Sequence, residues 1–286
     1  MNDREAKEVR NLAVKLASRL PGPQITCNFC GMAFRRIGRD HSEGLPCVRC
    51  GCIARERVVY AAILGEFAAS PDAAIVKNSQ LANLRVLEFS PRSHVIRRSL
   101  YTQTFAEYVA SDFDVAHHSG DIELDLTDPT SIENYAGHFD VVICCHVLEH
   151  IPDYRTAIAQ LSRLTTPTGK VFFQVPILES KYTKITWDEF HGDNTRAYHR
   201  FGFDVIEDLA TSFSAVTLYV GLKDPPVMLD EVSVDKYDYL RTTTPKFQVE
   251  EFGTDAMKSK GLGCPELCEV IVLGGPSELS EQPHRQ

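Results

Sequence analysis

The rhythm of apolar and polar positions changes along the chain, and each change marks an element. From Asp3 to Leu20 the spacing predicts an amphipathic helix, stopped by Pro21-Gly22-Pro23. A second helix is predicted from Ile53 over about residues 53 to 69, followed by a linker containing Pro71. Beyond it, short apolar runs alternate with helical patterns. Strands are expected at Leu84–Glu88, Glu107–Ser111, Ile122–Leu124, Phe139–Cys145, Lys170–Val175, Ala215–Val220 and Glu269–Leu273. Helices are expected at Ser93–Tyr101, Tyr154–Leu164 and Phe203–Phe213, with a turn at Pro167-Thr168-Gly169. This alternation predicts a doubly wound α/β sheet.

Composition narrows the class. The chain has 286 residues, 43% hydrophobic and 24% charged, a balance that can bury a sizeable core. No apolar run approaches the roughly 20 residues of a membrane span. Met1-Asn2-Asp3-Arg4-Glu5 leads into no apolar signal core, so a cytoplasmic protein without a membrane partner is expected. The net charge of -9 is uneven: residues 1–60 hold 11 Lys/Arg against 6 Asp/Glu, the remainder 19 against 33. A small basic front therefore precedes an acidic body. The expected organisation is residues 1–60 as one module and 61–275 as the α/β domain, with 222–262 an insertion or extended connection. Residues 276–286 are expected to be a disordered tail.

Five of the nine cysteines crowd the basic front. Cys27-Asn28-Phe29-Cys30-Gly31 and Cys47-Val48-Arg49-Cys50-Gly51 are two CxxCG knuckles. Each tight turn offers two thiolates to one ion, and the glycine permits a left-handed backbone beside the sulfurs. Cys27, Cys30, Cys47 and Cys50 are thus expected to hold structural Zn2+, a closed four-thiolate set with no position left for a substrate. Cys52 reads as a spare that could replace Cys50. Cys264 and Cys268 form a pair without evident partners.

In doubly wound sheets, ligands bind beyond the carboxyl ends of the strands. Glu88, Asp112 and Asp125 stand at three successive strand ends, followed by Cys145-His146 at the fourth. Such a set suits a nucleoside-type ligand, an acid meeting its ribose hydroxyls. Phe139 to Asp153, reading FDVVICCHVLEHIPD, resembles the fourth-strand motif of class I S-adenosylmethionine-dependent methyltransferases of the type 11-like group. Arg163 to Lys170, RLTTPTGK, resembles the turn that follows in that family. The resemblance spans roughly residues 83 to 221, and the zinc front resembles that of a bacterial subgroup. It implies a Rossmann-like methyltransferase sheet with S-adenosyl-L-methionine as cofactor. Glu88, Phe89 and Ser90 would lie beside the methionine part, Asp112 on the ribose, Asp125 with the Leu126 backbone on adenine, and His146 at the sulfonium. One departure stands out. Leu87-Glu88-Phe89-Ser90-Pro91 lacks the glycines that usually let this loop approach the cofactor.

His146-Val147-Leu148-Glu149-His150 also fits the H-x-x-E-H pattern of inverted zinc peptidases. That chemistry needs one continuous helix, whereas here a buried strand leads in and Pro152 follows. Methyl transfer asks mainly for alignment, with a base only where the acceptor is a hydroxyl or a protonated amine. His150, His146 and His199 are the candidate bases. Acceptor choice is expected to fall to Lys181–His191, with the sole tryptophan, Trp187, and to Arg196–Gly202. The leading expectation is methyl transfer to oxygen or nitrogen of a small molecule, a sugar or natural-product intermediate. One alternative is an RNA methyltransferase holding nucleic acid through the basic zinc module; another is a non-catalytic scaffold. The oligomeric state is not legible.

Overall fold

A computed structural model describes residues 24–35, 47, 49–68, 74–91, 95–116, 120–175, 183, 189–190, 196–202, 204–221, 228–229 and 269–276. The expected Asp3–Leu20 helix, Cys264 and Cys268, most of residues 222–262 and most of the expected tail lie outside these. The chain clusters into two compact units: residues 1–83, 94–106 and 221–228, and residues 84–93, 107–220 and 229–286. No described helix is long and apolar enough to cross a membrane.

In the first unit, β1 (Gln24–Thr26) pairs antiparallel with β2 (Ala33–Arg35) around the first knuckle. Helix α1 (Ala54–Phe67) follows the second knuckle, and the Glu56 carboxylate accepts the Ile53 N–H that opens it. A run of α1 residues, Val59 to Leu64, is buried, the mark of a core helix rather than a surface one. Phe29, Tyr60 and Tyr101 form an aromatic cluster with ring centroids 4.8–6.1 Å apart. The Tyr101 hydroxyl donates to that of Tyr60 at 2.6 Å, so both buried phenols are satisfied. Tyr101 belongs to α2 (Val95–Thr104).

The second unit is the sheet. Its strands are β3 (Arg85–Phe89), β4 (Glu107–Asp112), β5 (Ile122–Glu123), β6 (Phe139–Cys145) and β7 (Thr165–Gln174). A small hairpin pairs β8 (Glu189–Phe190) with β9 (Arg196–Ala197). The sheet continues with β10 (Val216–Gly221), β11 (Met228–Leu229) and β12 (Glu269–Leu273). Its order is β11-β10-β12-β7-β6-β3-β4-β5. The five strands from β7 to β5 run parallel, whereas β12 pairs antiparallel with both β7 and β10. β6, central in this order, is buried at five of seven positions on both faces, which accounts for its apolar run from Val141 to Cys145.

Helix α3 (Tyr154–Leu164) buries Tyr154, Ala157, Ile158, Leu161 and Leu164, one apolar stripe at helical spacing. Asp153 caps its start by accepting the Thr156 N–H at 3.2 Å. Helix α4 (Val205–Ser212) is tied to it through Asp208, which accepts from the Tyr154 hydroxyl at 2.6 Å and Arg155 Nε at 3.1 Å. The expected turn at Pro167-Thr168-Gly169 lies instead inside β7. Phe139 pairs with Thr165 and Val141 with Lys170, so the intervening residues form an offset in a continuing ladder. A Cβ on Gly169 would sit 2.8 Å from the Phe139 carbonyl oxygen, so this glycine serves close backbone approach, not a turn.

Candidate functional site

The two knuckles have matching backbones. Gly31 N–H donates to Cys27 O at 2.8 Å, and Gly51 N–H to Cys47 O at 2.7 Å, with both glycines left-handed at φ 70° and 74°. Cys27, Cys30, Cys47 and Cys50 are buried with their sulfurs all within 4.8 Å of one another. Two of the sulfur separations are 3.7 Å and 3.6 Å. Four thiolates at about 2.3 Å from one zinc stand about 3.8 Å apart, so the group fits a tetrahedral ion. The Cys27 sulfur beside them pushes the Cys30 and Cys50 thiols up. Cys52 stands outside the group, and burial pushes its thiol up. Arg57 is buried beside the second knuckle and donates to Cys52 O at 2.7 Å.

Parallel register brings Phe89, Ser111 and Cys144 level, so the residues that leave β3, β4 and β6 emerge at one edge. A cavity of about 850 Å3 opens there, within the size of small-molecule sites. Phe89, Ser90, Asp112, Asp125, Leu126 and His146 line it, as does His150. These are seven of the expected site residues. Two of them are left-handed without being glycine: Ser90 at φ 45° and His146 at φ 56°. The Ser90 N–H donates to Ser111 O at 2.8 Å and its hydroxyl to Asp112 Oδ2 at 2.5 Å. The Asp114 N–H donates to Asp112 Oδ1 at 3.0 Å, fixing a buried carboxylate. Asp125 is shaped locally, its Oδ1 accepting the Thr127 N–H and hydroxyl at 2.7 and 2.6 Å.

The remaining two expected residues lie elsewhere. Glu88 does not line the cavity; it is buried and accepts the Tyr108 hydroxyl at 2.6 Å. Alternation along a strand explains this, since Glu88 and Phe89 point to opposite faces. His199 is buried too, packed edge-on against Tyr154 at 4.8 Å. Its Nε2 lies 2.9 Å from both the Ile151 and Pro152 carbonyl oxygens, which only accept, so that nitrogen holds the proton and is committed to the chain. It packs under the site rather than in it.

His146 and His150 are held differently. His146 Nδ1 lies 3.2 Å from Glu149 Oε1, and its Nε2 is buried with no hydrogen-bond partner among the described residues. His150 Nδ1 lies 3.0 Å from Arg196 O and must donate, leaving the lone pair on Nε2 in the neutral ring. Between them Leu148–His150 is a single 3-10 turn, not the continuous helix a peptidase zinc site needs. Phe113, Leu124, Ile151 and Tyr198 also line the cavity. Phe113 is the exposed large apolar side chain of the described residues, a signal sequence reading passed over because it follows the more conspicuous Asp112. Of the Lys181–His191 segment only Thr183, Glu189 and Phe190 are described, and Trp187 lies outside. Thr183 is anchored, its N–H donating to Asp204 Oδ1 at 2.9 Å.

A ubiquinone biosynthesis O-methyltransferase of Erwinia tasmaniensis is 41% identical over 49 residues, 17% of this chain and 20% of that protein. The corresponding protein of Thiobacillus denitrificans is 49% identical over 47 residues, 15% of this chain and 20% of its own. The chain thus matches about a fifth of the length of these curated relatives. The solved 1,6-didemethyltoxoflavin-N1-methyltransferase of Burkholderia thailandensis aligns over 86% of this chain and 96% of its own, at 10% identity and a TM-score of 0.39. A family model described as a methyltransferase domain matches residues 56–224, more than half of the chain. The chain therefore belongs to the methyltransferase-domain family.

Proposed function

We propose that the protein is an S-adenosylmethionine-dependent methyltransferase acting on an oxygen or nitrogen of a small-molecule acceptor, a sugar or natural-product intermediate. The observation that carries this reading is the cavity at the strand ends, where the carboxylates of Asp112, Asp114 and Asp125, apolar walls and two imidazoles converge. Asp112 would take the ribose hydroxyls, its buried carboxylate lining the cavity and oriented by the Ser90 hydroxyl and the Asp114 N–H. Asp125 and the Leu126 backbone would meet adenine, with Phe89 and Ser90 beside the methionine part. The buried His146 Nε2, which has no hydrogen-bond partner among the described residues, supports a ligand at this point, since buried polar atoms are nearly always paired.

Held by Asp112, Asp125, the Leu126 backbone, Phe89 and Ser90, S-adenosylmethionine would supply an electrophilic sulfonium methyl group for the acceptor's lone pair. The chain's part is to align the acceptor and keep water out, which Leu124, Ile151 and Pro152 do as apolar wall. His146 and His150 take a proton from a hydroxyl or a protonated amine. The Cys27, Cys30, Cys47 and Cys50 group holds a structural zinc.

Calorimetric titration with S-adenosylhomocysteine tests the cofactor reading, and Asp112→Ala is expected to weaken binding at least about tenfold, the worth of one lost charged hydrogen bond. A parent that does not bind, with Asp112→Ala behaving like it, would leave a scaffold as the better reading; a parent that binds and an Asp112→Ala variant that binds equally would overturn the ribose role of Asp112. Radiolabelled methyl transfer to a panel of small alcohols, phenols and amines beside structured RNA tests the acceptor. Label recovered only in RNA would overturn the small-molecule assignment.

A further inference from the structure

Glu149 has no part in the assignments above, yet it is 5% exposed and lies directly behind the cavity-lining His146. Its Oε1 sits 3.2 Å from His146 Nδ1. Its own carbonyl oxygen accepts the Tyr198 N–H at 2.8 Å and the His199 N–H at 3.4 Å. One residue therefore touches the imidazole through its side chain and the segment carrying cavity-lining Arg196 and Tyr198 through its backbone. The left-handed φ of His146 turns the chain immediately after β6, and the His146 N–H is pinned to Gln174 O at 2.7 Å. The Leu148–His150 turn then returns Glu149 to the same ring.

We infer that Glu149 is a positioning residue that holds His146 in the tautomer with its proton on Nδ1 and, through its carbonyl, seats the Tyr198 segment at the same cavity. A carboxylate oxygen accepts and does not donate, so it selects the Nδ1–H form and leaves the lone pair on Nε2. On the methyl-transfer reading, on which the purpose of the device rests, that lone pair receives the acceptor's proton while the Nδ1 proton stays shared with Glu149. Of the two cavity imidazoles, His146 is backed by a carboxylate and His150 by a carbonyl. A carboxylate stabilises the doubly protonated ring that forms after proton uptake far better than a neutral carbonyl does. The arrangement follows the logic of a histidine oriented by a buried acid, in which an amide in place of the acid mis-sets the tautomer.

The experiment is nitrogen-15 NMR of the full chain labelled in its imidazoles, with the His146 signals assigned by their loss in His146→Gln. The parent is expected to show a protonated Nδ1 and an unprotonated Nε2. In Glu149→Gln, of the same shape, the amide can present either its oxygen or its NH2, and a mixture of tautomers is expected. S-adenosylhomocysteine affinity is expected to stay within about twofold of the parent, because no ligand contact is removed. A proton on Nε2 in the parent overturns the inference, and the parent spectrum decides this even if the variant does not fold. A Glu149→Gln spectrum identical to the parent's overturns it too. Failure of the parent to bind S-adenosylhomocysteine would sink the methyl-transfer reading while leaving the tautomer result legible.

Discussion

Ser90 and His146 stand at the ends of β3 and β6 with left-handed backbones that a side chain disfavours by about 1–2 kcal/mol. Both line the cavity, where such strain is typically kept by surrounding bonds. The Ser90 hydroxyl, 2.5 Å from Asp112, is one such bond. The absence of the usual glycine is therefore met by a serine held in the glycine conformation. Ser90→Ala and Ser90→Gly both delete the hydroxyl, and only glycine accepts the backbone angle freely. Ser90→Ala is expected to be the less stable by about 1 kcal/mol in urea denaturation. Equal stability of the two would show that the angle carries no cost. The sequence displayed a missing glycine but not its replacement, because the bond that holds Ser90 comes from a residue 22 positions away.

Elements join where single side chains bridge them. Asp140 in β6 accepts the Arg85 N–H at 2.9 Å and the Arg85 guanidinium at 3.2 and 3.3 Å, locking β6 to β3. Burial alone would raise the Asp140 carboxyl, but the Arg85 hydrogen bonds prevail and hold it below the usual range. Its folded state thus prefers the ionised form, so its contribution is complete above the ordinary carboxyl range near pH 4 and fades as pH falls below it. Asp140→Asn is expected to flatten the acid side of a melting-temperature profile below about pH 4, and an unchanged acid slope would count against the clamp. At the start of α3, Asp153→Ala is expected to cost about 1 kcal/mol in chemical denaturation through loss of the cap. That helix was readable end to end, since its stripe and cap are local. The Pro167–Gly169 segment was not, because a turn dipeptide and an offset within a ladder use the same residues, and only pairing with Phe139 and Val141 separates them.

At the scale of the molecule, the four-cysteine group carries the clearest expectation. Metal analysis is expected to find about one zinc per chain, falling to background in Cys30→Ser or Cys47→Ser. Stripping the metal with a chelator is expected to lower the melting temperature, because the binding energy of such a site is folding energy. Parent-level zinc in either variant would refute the four-thiolate set. The net charge of -9 averages a basic front and an acidic body, so it says little about ligands of either.

By itself the sequence determined the main strands and helices of the sheet, the four knuckle cysteines and most of the strand-end residues that form the cavity edge. Each rests on periodicity or spacing within a few residues, which the chain displays directly. The tertiary structure decided what the side chains do there. It gave Glu88 to Tyr108, buried His199 against Tyr154, set β12 antiparallel between β7 and β10, and put Glu149 behind His146 and beneath Tyr198. Most of these partners lie 20 or more residues from one another in the chain. A hydrogen bond's donor is fixed only when packing brings the two stretches together, and no local pattern records that.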